Sequence, residues 1–167
     1  HLSPMPKQVC TKEMIDDRIL LEKMCGYPIR GMSYPYGIYT DDVIAASKAA
    51  GMEYSRTAVS TKRFDIPNDF MQWHGTCHHN DNIEERLHKF NGSWVMMPIF
   101  YIYGHSFEFD NDNNWEVMEE LLKYVSGRED VWYATCMEIY EYVEAYNSLI
   151  FSADSTKVYN PTLLKIW

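Results

Sequence analysis

The chain has 167 residues, 46% of them apolar and 23% charged, which excludes a disordered chain and suits one domain with a sizeable core. Its net charge of −9 excludes nucleic acid and anionic membrane surfaces as natural partners, because both need clustered Lys and Arg. No apolar run approaches the roughly 20 residues of a bilayer span.

Thr11 to Met24 reads as a helix, with Met14, Ile15, Ile19 and Met24 near helical spacing and Gly26 and Pro28 ending it. Ile29 to Ser33 is a short strand. Thr40 is an N-cap with Asp41 and Asp42 in the first turn, opening a helix to about Ala50 that stops at Gly51. Glu53 to Ala58 is the next strand. Ser60 to Asn80 reads as a long irregular stretch, the kind of segment that carries function in a compact domain. A helix follows from about Asp81 to Phe90, ended by Asn91-Gly92. Trp94 to Tyr103 is nearly all apolar and predicts the strongest strand, buried on both faces. Asn114 to Ser126 is a helix and Val131 to Ala134 a strand. Thr135-x-x-Glu138 is a capping box for a helix to about Tyr146, and the tail from Asn147 holds a short strand near Val158.

Strand and helix alternate four times after a leading helix, which predicts an α/β fold with a parallel sheet and right-handed crossovers. No repeat or linker divides 1–167, so a single domain with 147–167 as its tail is expected. Aromatics reach 15%; they suit a large core better than a sugar-lined groove. Cys10, Cys25, Cys77 and Cys136 form no C-x-x-C pair, which argues against a structural zinc site and for free thiols. With no leader at the start, the thiols favour the cytoplasm over an extracellular location.

In parallel α/β folds, sites gather at the carboxyl ends of strands. His105 follows the predicted strand directly, in Gly104-His105-Ser106-Phe107-Glu108. Glu108 or Asp110 beside it would hold the ring's tautomer and suit it to general-acid work. Arg30 to Gly37 also follows a strand, and Pro35 with two glycines would present Tyr34 and Tyr36 on a turn; a plain strand–helix loop fits equally well. Trp73 to His79 is the densest histidine cluster. Adjacent histidines on an extended chain point to opposite faces, so His78 and His79 are not expected to share a metal; one faces a cleft, the other is buried. Asp69 could reach the same cleft, to orient a histidine or accept a substrate hydroxyl. His88 reads as surface. Nothing local decides whether His1 is a ligand or a frayed end.

Taken in order, His1-Leu2-Ser3, Ser33-Tyr34-Pro35-Tyr36-Gly37, Asp69 to Trp73 and Gly104-His105-Ser106 resemble the motifs of the polysaccharide deacetylases (carbohydrate esterase family 4), from His1 to about Tyr146. The resemblance implies an incomplete (β/α) barrel of about four to five strand–helix units, lacking the first strand with its aspartate pair. It implies a hydrolase that removes acetyl groups from an N-acetylated sugar or polysaccharide. It further implies a divalent metal, zinc foremost, held by one Asp and two His, with His1 as the last of these ligands. His105 would protonate the leaving amine, and the turn near Tyr36 would stabilise the oxyanion. Asp69 would join the catalytic set. Tyr34, Pro35, Trp73 and His78 would line the substrate site.

Two departures mark a divergent branch. Ser33 stands where the family carries arginine, a role Arg56 could take over, and Tyr103 stands where leucine is usual. Rival readings are a hydrolase of another amide bond in a small molecule, such as a cyclic ureide, and a non-catalytic carbohydrate-binding relative. Without the family's base and first ligands, these 167 residues alone are expected to be inactive. An exposed sheet edge would favour a homodimer.

Overall fold

The computed structural model describes residues 2–167. Within it the chain divides into two compact units, 1–131 and 132–167.

The first unit opens with α1 (Lys7–Cys25), which begins after Pro6 and ends where Gly26 takes a left-handed φ of 78°. β1 (Gly31–Ser33) follows, then a single tight turn at Pro35–Gly37. α2 (Asp41–Ala49) starts as expected: the Thr40 side chain accepts from the Val43 amide at 3.3 Å. α1 packs on α2. Cys10 and Met14 from one helix and Val43, Ala46 and Ala50 beside the other close over Tyr34, forming the first core.

β2 (Tyr54–Ser60) runs parallel to β1, with Gly31 opposite Tyr54 and Ser33 opposite Arg56. The stretch expected to be irregular contains two further strands, β3 (Trp73–Gly75) and β4 (Cys77–His78). β3 pairs parallel with β2, while β4 pairs parallel with β5 (Ile102–Tyr103). The change of partner happens at Thr76. Its amide and that of Cys77 both reach the Tyr101 carbonyl, at 2.8 and 3.3 Å. These strands are two and three residues long, too short for their alternation to stand out of the sequence.

The strand expected over 94–103 is a correction. Only Ile102–Tyr103 is strand. Met97 holds a φ of 53° and Pro98 has no amide to donate, so 94–101 leaves the sheet. α3 (Ile83–Asn91) and α5 (Trp115–Val125) form a second core through Ile83, Leu87 and Leu121, with Phe100 and Ile102 packed against it. Between β5 and α5 lies α4 (Ser106–Asp112), a helix that the sequence pattern did not predict.

In the second unit, α6 (Cys136–Asn147) carries the expected capping box: the Thr135 amide donates to Glu138 at 2.7 Å. β6 (Ile150–Phe151) and β7 (Val158–Tyr159) pair antiparallel. The strand expected at 131–134 does not form; Trp132 instead packs on Tyr142 of α6, ring centroids 5.4 Å apart.

The architecture is thus α/β with short parallel sheets, and no closed barrel is present among the described residues. All four cysteines are free thiols. Burial pushes the Cys77 thiol up to about 11. Among the described residues, no helix is long and apolar enough to cross a membrane.

Candidate functional site

The turn after β1 is built by three constraints. Tyr34 is pinned to β2, its amide donating to the Arg56 carbonyl at 3.0 Å. The Gly37 amide then closes the turn on the Tyr34 carbonyl at 2.8 Å. Tyr36, the third residue, takes φ 60° and ψ 14°, a conformation turns of this kind normally give to glycine or asparagine. Its ring is 78% exposed. Gly37 is required, because a Cβ there would lie 2.6 Å from the Ala58 Cβ at a φ of 69°. The turn therefore rests on the carboxyl end of β2.

That end of β2 also meets β5. The Tyr103 hydroxyl donates to the Ala58 carbonyl at 2.8 Å and lies 3.0 Å from the Ser60 hydroxyl. On its other side the Tyr103 ring stands edge-on to His78, centroids 5.1 Å apart. The chain then continues through Gly104 to His105, which precedes α4.

Glu108 is the hub of a histidine cluster at the start of α4. Its carboxylate accepts from the His105 amide at 3.1 Å, fixing the first turn of that helix. The same oxygen, Oε2, lies 3.3 Å from His78 Nε2, 3.2 Å from His79 Nε2 and 3.4 Å from His105 Nδ1. Burial works to raise the Glu108 carboxyl, but the His105 amide and the neighbouring imidazoles outweigh it and hold the group below the usual carboxylate range. His79 is buried, and that burial, with His78 beside it, lowers its imidazole below the ordinary value. His105 is open to solvent.

The expectation that His78 and His79 face apart is corrected here. Their rings lie 4.2 Å apart and both reach Glu108. β4 ends at His78, so strand alternation no longer separates the two side chains. Glu108 and His79 stood out in the sequence only as neighbours of other candidates. The available signal was a Glu three residues after His105, which is the spacing of a capping box.

The other expected site residues are dispersed. Pro35 is exposed on the turn. Tyr34 is buried, and its hydroxyl donates to the Met71 carbonyl at 2.9 Å. Trp73 is 2% exposed, edge-on to Tyr54 and Phe70. Both rings are therefore core groups, not solvent-facing ones. Asp69 caps the short turn Phe70–Gln72, accepting from the Met71 amide at 2.9 Å and the Gln72 side chain at 3.1 Å. Arg56 lies within β2, not at its end, with its guanidinium 6.0 Å from the centre of the Tyr101 ring. His1 lies outside the described residues. Among the described residues, His78, His105 and Glu108 are the group whose donor atoms could surround one cation.

Comparison with protein families gives a match to the model described as polysaccharide deacetylase, over residues 1–55. Residues 1–55 fit the polysaccharide deacetylase family. The resemblance read from the motifs is borne out over this deacetylase segment, which contains α1, β1, the turn at Tyr36, α2 and the start of β2. It points to a deacetylase-type hydrolase acting on N-acetyl amide bonds, in a family that is generally metal-dependent. The deacetylase match ends before His78, His105 and Glu108. Comparisons with curated proteins and with solved structures gave no match.

Proposed function

We propose that this chain carries part of the site of a hydrolase that removes the acetyl group from an N-acetylated sugar, on part of a (β/α) barrel. The observation that carries the proposal is the link from the turn at Tyr36 through Ala58 and Tyr103 to His105, which brings a deacetylase-type turn and a strand-end histidine to the same end of the parallel strands.

In this reading His105 is the general acid. Glu108 is a positioning residue: an anionic carboxylate at Nδ1 favours the charged imidazolium and holds its ring. Once water has added to the acetyl carbon and given its proton to the aspartate base that the resemblance implies, the proton on Nε2 passes to the departing amine as the carbon–nitrogen bond breaks and acetate is left. By the family resemblance, the backbone near Tyr36 would stabilise the oxyanion. The exposed Tyr36 ring offers a stacking surface for a sugar.

The metal ligand set that the family resemblance implies, one Asp and two His, is not reproduced among the described residues. The proposed roles therefore rest on His105, Glu108 and Tyr36. A purely carbohydrate-binding role is less well supported. Of the rings in the loops 34–39 and 70–73 that would bind sugar in that role, Tyr34, Phe70 and Trp73 are buried.

The test is to add N-acetylglucosamine oligomers, or a small cyclic ureide, while following the His105 imidazole and Tyr36 ring by NMR and assaying for acetate. The reading expects both residues to respond to the oligomers, and that response to weaken in Tyr36→Ala. A response to the ureide alone would reassign the substrate. No response to either, with no acetate released, would reject the hydrolase reading.

A further inference from the structure

We propose that His78, His105 and Glu108 form a binding site for a divalent transition metal, distinct from the ligand set that the family resemblance attaches to His1. Spacing is the first ground. His78, His105 and Glu108 each offer one donor atom, and these atoms all lie within 4.8 Å of one another. The two nitrogens sit 3.3 and 3.4 Å from Glu108 Oε2. Ligands held about 2.0–2.1 Å from a tetrahedral zinc stand roughly 3.3–3.4 Å apart. A charge-assisted N–H···O bond closes further, to about 2.7–2.9 Å. The distances match ligands that share a cation.

A second observation comes from His79. His79 is 4% exposed, and its Nε2 has no hydrogen-bond partner among the described residues, although it stands 3.2 Å from the same carboxylate oxygen. Leaving a buried polar atom without a partner is unfavourable. Here that atom lies beside the carboxylate that the proposed site uses. Two imidazoles and one carboxylate suit zinc, cobalt or nickel better than calcium or magnesium, which take all-oxygen shells.

One contact must give way. The Asn80 amide donates to His78 Nδ1 at 3.2 Å, which puts the neutral ring's proton on Nε2. Metal binding at Nε2 therefore moves that proton to Nδ1 and breaks the Asn80 bond. His105 adjusts readily, its side chain being 63% exposed. Resting on the proposed acid role, a further consequence is that metal at Nδ1 takes the His105 ring out of proton transfer, so the same cation in excess inhibits deacetylation.

The experiment titrates the whole chain with Co²⁺, reading its visible ligand-field absorption, then displaces it with Zn²⁺ followed by calorimetry. His105→Asn, Glu108→Gln, His1→Ala and the surface control His88→Asn are compared, with circular dichroism to check that each folds. The expected result is saturable Co²⁺ binding, weakened about tenfold or more in His105→Asn, similarly weakened in Glu108→Gln and unchanged in His1→Ala and His88→Asn. The NMR signal of the Asn80 amide should shift on binding. Binding lost only in His1→Ala would place the metal at the chain start and overturn the proposal, as would an absence of saturable binding by the parent chain. None of these readouts depends on deacetylase activity, so a failed activity assay leaves the binding result standing, and the reverse.

Discussion

Replacing Gly104 with alanine should damage the histidine cluster without replacing any of its functional groups. Gly104 does not use a left-handed φ, so alanine meets no backbone penalty there, and the cost is steric. The new Cβ would overlap His79 Nδ1 outright and lie 2.6 Å from its Cε1 and 2.9 Å from its Cγ, against 3.4 Å or more in ordinary contact. The ring must retreat, but Phe109 lies on it at 4.3 Å and His78 at 4.2 Å, and its own amide is held by the Tyr103 carbonyl at 2.9 Å. Overpacking in such a place costs about 1–3 kcal/mol, and the confinement on three sides puts this case in the upper half of that range. For a domain of this size that lowers Tm by roughly 5–10 °C. Urea denaturation and thermal circular dichroism measure it. Gly92→Ala is the control, since its Cβ meets only the His88 carbonyl at 3.9 Å and should change stability by less than about 0.5 kcal/mol. A Gly104→Ala chain as stable as the parent, or more stable through the stiffer unfolded chain, would refute the steric account.

Gly37→Ala should also destabilise: the left-handed φ of 69° alone costs roughly 1–2 kcal/mol, and the approach to the Ala58 backbone at 2.9 Å adds to it; urea unfolding would read the loss. Trp73→Ala should cost about 3–5 kcal/mol, because the ring is buried among Tyr54, Phe70 and Tyr101; a loss under about 1 kcal/mol would return the ring to the surface. His79 should titrate below 6.5 in an NMR pH series. Because burial depresses it in the folded state, the unfolded chain takes up the proton first. Its contribution to stability is thus complete above about pH 6.5 and declines as pH falls through that value. A His79 midpoint above 6.5 would contradict this.

Much of the helical frame was legible in the sequence because its signals are local. Thr40 with its two aspartates, Gly26 after Met24 and the Thr135–Glu138 box each fix a helix end through neighbours a few residues away. The run 94–103 is apolar enough for a buried strand, but Pro98 interrupts its ladder. His105 could be picked out because it follows a strand, and the structure keeps it at the end of β5. Its partners could not. Glu108 reaches His78 from far along the chain only because β4 pairs with β5 and α4 starts directly after. Likewise, the burial of Tyr34 and Trp73 depends on α2 and on the turn at Phe70, which no local pattern reveals.

Tyr103 has a consequence of a mechanical kind. Its hydroxyl is the strut between the carboxyl ends of β2 and β5, and it braces the Ala58 carbonyl of the same residue that Gly37 presses against. Removing that one oxygen in Tyr103→Phe would leave the turn and the histidine cluster each intact but free to drift apart. The two halves of the site would then keep their own chemistry and lose their alignment.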